Sequence, residues 1–157
     1  MKSFKTLRMF MFANIVLAGL SCSDNDPDKE VPPVYNITVQ STDKGMVLAD
    51  SSGRTLYFFA KDADGKSACA GGCLTNWPIY SKTTLKIDPT LTSTDFNTMV
   101  RTDGSKQVTY KGWPLYYYKD DAKAGETKGD NVGGMWFVAK TTYSLMIASG
   151  QLVGNDG

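Results

Sequence analysis

The residues able to carry chemistry are few. Histidine is absent, which removes Ser-His-Asp hydrolysis, His-ligated zinc and a proximal haem ligand. The cysteines are Cys22, Cys69 and Cys73. Cys69 and Cys73 enclose Ala70-Gly71-Gly72, residues small enough to let the chain curl tightly, and in an oxidising compartment such a pair reads as a disulfide. A redox pair or a soft-metal site is the alternative, although the Cys-x-x-Cys redox motif has one residue fewer between its thiols. Asp62, Asp120, Asp121 and Glu126 are the candidates for paired-carboxylate hydrolysis. Asp62 and Asp121, however, directly follow aromatic runs, where Asp commonly accepts hydrogen bonds from turn amides. Asp62-Ala63-Asp64-Gly65 resembles part of a calcium loop, but Ala60 stands where the first carboxylate belongs and Gly71 where the closing Glu would be. Met46, Met99, Met135 and Met146, the possible copper ligands, sit in apolar runs and read as core. Gly71-Gly72 and Gly133-Gly134 lack the strand–helix context of a phosphate cradle. No catalytic set, cofactor or metal is expected.

The elements that must position these groups are organised by a duplication. Gly53-Arg54-Thr55-Leu56-Tyr57-Phe58-Phe59 and Gly112-Trp113-Pro114-Leu115-Tyr116-Tyr117-Tyr118 align without a gap at an offset of 59 residues. Gly53 matches Gly112, Leu56 matches Leu115, Tyr57 matches Tyr116, Phe59 matches Tyr118 and Asp62 matches Asp121. Each copy starts at a turn glycine and continues as a short aromatic run suited to a buried strand. Ahead of the first copy, Ile37 to Gln40 alternates, Met46 to Ala49 is a second strand, and Asp50 to Gly53 is a hairpin turn with a glycine suited to positive φ. Gln107 to Tyr110, the turn Lys111-Gly112 and Trp113 to Lys119 repeat that layout, so each repeat reads as a hairpin whose second strand carries the signature. Asp88 to Phe96 could form one helical turn, with Thr92 and Asp95 as weak caps. Ala122 to Gly134 is a polar loop, and Met135 to Ala139 and Tyr143 to Ala148 are further strands. The fold class is mainly β with little helix: a compact antiparallel sheet or sandwich of two pseudo-symmetric hairpin repeats.

The doubled Tyr-x-aromatic-x-x-Asp pattern resembles the bacterial "secreted repeat" predicted-lipoprotein family. The Cys69-Ala-Gly-Gly-Cys73 and Trp77-Pro78 segments after the first copy, and Val132 to Val138 after the second, agree with it. The resemblance runs from about Lys44 to Ala139. It implies an exported protein and carries no established activity.

The N-terminus supports export. Lys2, Lys5 and Arg8 precede the apolar run Met9 to Leu20 and then Ser21-Cys22, the order of a secretory signal too short to span a bilayer. Cys22 stands where a lipoprotein signal is cleaved and acylated, with Ser21 suited to the preceding place and Gly19 replacing the more usual Leu. Ser23-Asp24-Asn25-Asp26 resembles the surface-export segment of some Gram-negative lipoproteins. The organisation expected is a signal over 1–21, an acidic, proline-rich tether over 22–35, one domain over 36–149 with repeats at about 44–80 and 100–139, and a tail over 150–157. Of 17 basic and 16 acidic residues, the signal holds three basic ones and no acid, so the mature chain carries a formal charge of −2. With no basic patch and no strongly basic pI, no nucleic-acid partner is expected. The sequence therefore reads as an exported, lipid-anchored protein of a Gram-negative-type outer membrane or cell surface. Its expected partners are the membrane, through the N-terminal lipid, and an unidentified envelope protein or ligand. It reads as a non-catalytic binding or structural module. An accessory of redox or metal handling through Cys69 and Cys73 is the alternative, and a carboxylate hydrolase the third reading.

Overall fold

Two hairpins frame the fold. The computed structural model describes residues 32–62, 65–143, 145–148 and 151–154. The signal segment, Cys22, the tether up to residue 31 and Asp64 lie outside the described residues. Strands β1 (Ile37–Thr42) and β2 (Gly45–Asp50) pair antiparallel, Ile37 opposite Asp50. After Tyr57–Phe59 (β3) and a four-residue helix at Cys73–Asn76 (α1), the chain repeats the hairpin as β4 (Phe96–Val100) and β5 (Lys106–Tyr110), with Phe96 opposite Tyr110. Strand β6 (Trp113–Pro114) continues this second unit as a third strand. The chain goes on through β7 (Trp136–Val138) to a hairpin of β8 (Leu145–Ala148) and β9 (Gln151–Gly154). The fold is mainly β, built from small antiparallel sheets with little helix. The described residues from Pro33 onward make one compact unit, and no described helix is long and apolar enough to cross a membrane.

The turn chemistry follows the sequence. Gly53 and Gly112 adopt φ of +79° and +83°, the left-handed region that only glycine enters without strain. At Gly53 a Cβ would also lie 2.8 Å from that of Ala124. The helical turn expected between Asp88 and Phe96 is a 3₁₀ turn at Ser93–Asp95; Thr92 precedes it but makes no side-chain cap bond.

Several expectations need correction. The signature strand does not lie along its own hairpin for its whole length. Thr55 bridges Ala49 and the Leu56 amide donates to the Leu48 carbonyl at 2.9 Å, but β3 then leaves and pairs with β7, Tyr57 opposite Val138 and Phe59 opposite Trp136. The partner strand thus comes from the far end of the other repeat, a pairing with no local turn to announce it. Phe96 to Val100 is a strand, the counterpart of β1, where the sequence suggests only the end of a helical turn; its exposed face lacks the apolar alternation of β1. Residues Gln151–Gly154, expected as tail, form β9.

The core has two layers separated by the signature strands. Leu56, Phe58 and Leu115 point to one cluster with Ile37, Leu48, Tyr80, Val108 and Trp113. Tyr57, Phe59 and Tyr116 point to the other with Val47, Trp77, Trp136 and Val138. Alternate side chains of a strand face opposite ways, so an aromatic run apolar on both faces needs a packed layer on each side. The fold supplies both.

Candidate functional site

The two signatures meet at their tyrosines. The Tyr57 amide donates to the Tyr116 carbonyl at 2.8 Å, and the Tyr116 amide donates back to Tyr57 at 3.0 Å. A residue that exchanges two hydrogen bonds with its own counterpart lies on a local twofold axis, the geometry of an isologous contact. The side chains follow the same symmetry. The Tyr57 hydroxyl donates to Asp121 Oδ2 at 2.5 Å, and the Tyr116 hydroxyl donates to Asp62 Oδ2 at 2.6 Å. Each tyrosine therefore bonds the aspartate of the other repeat. The remaining carboxylate oxygens stay local: Asp62 Oδ1 accepts the Ala68 amide at 2.7 Å and Asp121 Oδ1 accepts the Lys128 amide at 3.0 Å. The turn-capping role expected of these aspartates is real, but it is half of what they do.

The aromatic position of the signature is crossed in the same way. Trp77 and Trp136, again 59 residues apart, stack face to face with centroids at 3.8 Å and planes at 2°. Phe59 stacks on Trp136 at 4.1 Å, and Tyr118 lies on Trp77 at 4.4 Å. The resulting column runs Phe59, Trp136, Trp77, Tyr118, symmetric about its centre. It accounts for both tryptophans that flank the signature, and their shared offset was the sequence signal. Strand pairing is crossed too: Tyr116 bridges Ile79 just as Tyr57 pairs with Val138. Gly129 sits against the column so closely that a Cβ would come within 2.8 Å of the Tyr57 and Trp77 rings.

Electrostatics reflect the burial. Desolvation, and then the facing Asp121, push the Tyr57 hydroxyl well above the usual tyrosine range. Desolvation and Asp62 do the same to Tyr116. Burial raises the Asp121 carboxyl, with the bonds from Tyr57 and Lys128 only partly offsetting it. At neutral pH the hydroxyls thus stay protonated as donors to the carboxylates, an arrangement that holds the repeats together.

Beyond the shared pair the surroundings differ. Ser67 Oγ lies 2.5 Å from the Tyr116 hydroxyl. Arg101, buried at the start of the β4–β5 turn, donates from Nη1 to Ser67 Oγ and at 2.6 Å to Gln107 Oε1. Its Nη2 donates to the Cys69 carbonyl at 2.6 Å, and Gln107 donates to the Leu115 carbonyl at 2.8 Å. Around Tyr57 the matching place is taken, among the described residues, by the Gly129 amide, at 3.3 Å. Arg101 and Gln107 escape a sequence reading because a charged turn residue and a strand glutamine are ordinary surface types.

Cys69 and Cys73 form a disulfide, with Cα atoms 5.4 Å apart. Its loop leads straight into α1 and Trp77, and Arg101 pins the Cys69 carbonyl. Asp120 and Glu126 do not join Asp62 and Asp121: Asp120 is half exposed beside Lys119, and Glu126 Oε2 accepts the Ala122 amide at 2.7 Å. Met46, expected in the core, is exposed, whereas Met135 packs at the edge of the tryptophan layer. Among the described residues no group of three or more Cys, Asp or Glu side chains is arranged to hold a metal ion.

A crossed pair of equivalent motifs, each completing the other, defines a duplicated β module whose signature is internal. The model of a family described as a secreted repeat of unknown function matches residues 38–80 and 97–140, more than half of the chain, and the protein belongs to that family. The matched segments begin at 38 and 97, so each takes in all but the first residue of the first strand of its hairpin, β1 or β4. No curated protein and no solved structure matches significantly.

Proposed function

We propose that this secreted-repeat protein is a non-catalytic envelope module, acylated at Cys22 and held at a Gram-negative-type outer membrane or cell surface, that presents its loops to a ligand or envelope partner. One observation carries the non-catalytic part. The hydroxyls and carboxylates of Tyr57, Tyr116, Asp62 and Asp121 are buried and bonded to one another across the repeats. Groups so engaged hold a scaffold, and a general acid or base needs reach to a substrate. The basic, apolar, Ser-Cys order at the N-terminus supports the anchor. A single acyl-type anchor attaches a domain to the membrane without spanning it.

Intact mass of membrane-extracted protein tests the anchor. Loss of residues 1–21 with added lipid is expected, and Cys22→Ser should release the protein into the soluble fraction. An unmodified Cys22 thiol in a freely soluble product would sink the proposal. The scaffold part fails if an activity of the purified protein is lost in Asp121→Asn while the denaturation midpoint is unchanged.

The Cys69–Cys73 pair supports structure over redox exchange. Cys69 is buried and its carbonyl is held by Arg101, which ties the loop to the second repeat.

A further inference from the structure

The duplication places a recess against each hairpin, and the two have diverged. The recess of the first repeat, about 480 Å³, is lined by Val39, Met46, Leu91, Tyr110, Lys111 and Thr141 among others. The recess of the second, about 210 Å³, is lined by Ser81, Lys82, Thr83, Thr98 and Lys106. The registers make them equivalent. Ile37 opposite Asp50 corresponds to Phe96 opposite Tyr110, so Val39 corresponds to Thr98 and Met46, opposite Ser41, to Lys106, opposite Val100. Thr141 corresponds to Lys82 at the same 59-residue offset as the signature. At all three shared positions the recess at the second hairpin has a lysine where the first has an uncharged side chain, or a hydroxyl where the first has an apolar one, with Lys82 supplied by the segment that follows the first repeat.

From this we infer that the recess between Lys82 and Lys106 binds a phosphate-type oxyanion, free or carried on a lipid headgroup. Its lining residues are two lysines, a serine and two threonines, and no aspartate or glutamate is among them. Lysine ammoniums and serine or threonine hydroxyls all donate hydrogen bonds to phosphate oxygens. Two lysines at the rim of one small concavity repel each other, and an anion bound there relieves that repulsion. Lys82 is only half exposed, and its Nζ lies 5.9 Å from the centre of the Tyr80 ring. The volume suits a phosphate with a small substituent and is below the usual size of a drug-sized ligand site. The inference rests on the binding-module reading, but not on acylation at Cys22.

The test is a saturation titration of the isotope-labelled full mature chain by amide NMR, in detergent. The probes are inorganic phosphate, short-chain phosphatidylglycerol and, as the zwitterionic control, short-chain phosphatidylcholine. Saturable shifts centred on Thr83 and Thr98 are expected. Lys82→Ala and Lys106→Ala should each weaken binding about fivefold, the loss of one charge-assisted contact. Lys111→Ala, at the other recess, should leave it unchanged. Phosphatidylglycerol binding tighter than inorganic phosphate assigns the site to a headgroup, and equal or weaker binding assigns it to a free phosphate or ester. No saturable shift with either anionic probe overturns the inference, as does binding that Lys82→Ala and Lys106→Ala leave intact. A failed titration beside a normal lipidated mass would remove the ligand while leaving the anchored module standing.

Discussion

The first and second repeats are alike where they touch and unlike where they do not. Around the twofold axis every element has its counterpart: the tyrosine amides, the Tyr–Asp bonds, the two tryptophans and the aromatics that flank them. Away from the axis the second tyrosine is backed by Ser67, Arg101 and Gln107, while the first has a glycine amide. One repeat holds a disulfide and the other holds Lys128 and Val132 at the same offset. Duplicated chains diverge freely except where one copy must complete the other. The signature marks that constraint, which is why it is interior and why it comes in pairs.

The largest effects should come from the shared centre. Tyr57→Ala and Tyr116→Ala each remove a fully buried ring and strand the aspartate opposite it. Each should cost about 3–5 kcal/mol in denaturant unfolding, a large part of the stability of a small domain. Similar losses for the two would sharpen the symmetry argument. A parental midpoint for either would break it, because that tyrosine would then not be a core residue.

Arg101 tests the asymmetric part. Arg101→Met keeps the bulk but leaves the Cys69 carbonyl, Gln107 and Ser67 without their donor. A loss of about 2–3 kcal/mol is expected from these buried acceptors. Among the described residues the first repeat shows no equivalent of this network to lose. If the variant unfolds at the parental midpoint, the network is incidental to stability and the repeats differ less than their contacts suggest.

Tyr57→Phe and Asp121→Asn isolate the crossed bond itself. Their double-mutant cycle should show a coupling of about 1–2 kcal/mol, and the mismatched cycle of Tyr57→Phe with Asp62→Asn should show close to none. The same hydroxyls give a pH signature. Burial and the facing carboxylates raise both tyrosines above their unfolded range, so at alkaline pH the folded state holds protons that the unfolded state has lost. Their contribution is complete below the unfolded value of about 10 and declines as pH rises above it. Tyrosinate absorbance should therefore lag the ionisation of the exposed tyrosines and rise with unfolding. Midpoints that stay level through that range would contradict the burial of the two hydroxyls.

Much of this was open to reading, and the reasons for the rest are physical. The offset that aligns Tyr57 with Tyr116 also aligns Trp77 with Trp136, so the composition of the centre could be read from one chain. What could not be read was the crossing. Local rules attach Asp62 and Asp121 to the turns that follow them, and each does bond such an amide; nothing local says that the second oxygen reaches the other repeat. Pairing of β3 with β7 spans about half the chain and has no turn between the strands. Strand β4 escaped because its exposed Asn97 and Thr98 carry no apolar period, and its register comes from β5.

The disulfide should matter least. It closes a loop of five residues, Cys69 to Cys73, and so short a loop removes little freedom from the unfolded chain, no more than about 2 kcal/mol on chain-entropy grounds. The loop is also held without it, by Arg101 on the Cys69 carbonyl and by the packing of Trp77 in the aromatic column. The second repeat already brings Trp136 into the same column with Val132 in place of a cysteine. A Cys69→Ser, Cys73→Ser double variant should therefore fold, with a midpoint lowered by less than that of Tyr57→Ala or Arg101→Met. Thiol labelling under denaturing conditions should find the parent protein unreactive until it is reduced. If the double variant loses as much stability as a buried tyrosine, the bridge does in the first repeat what packing does in the second. The two copies would then reach the same centre by different means.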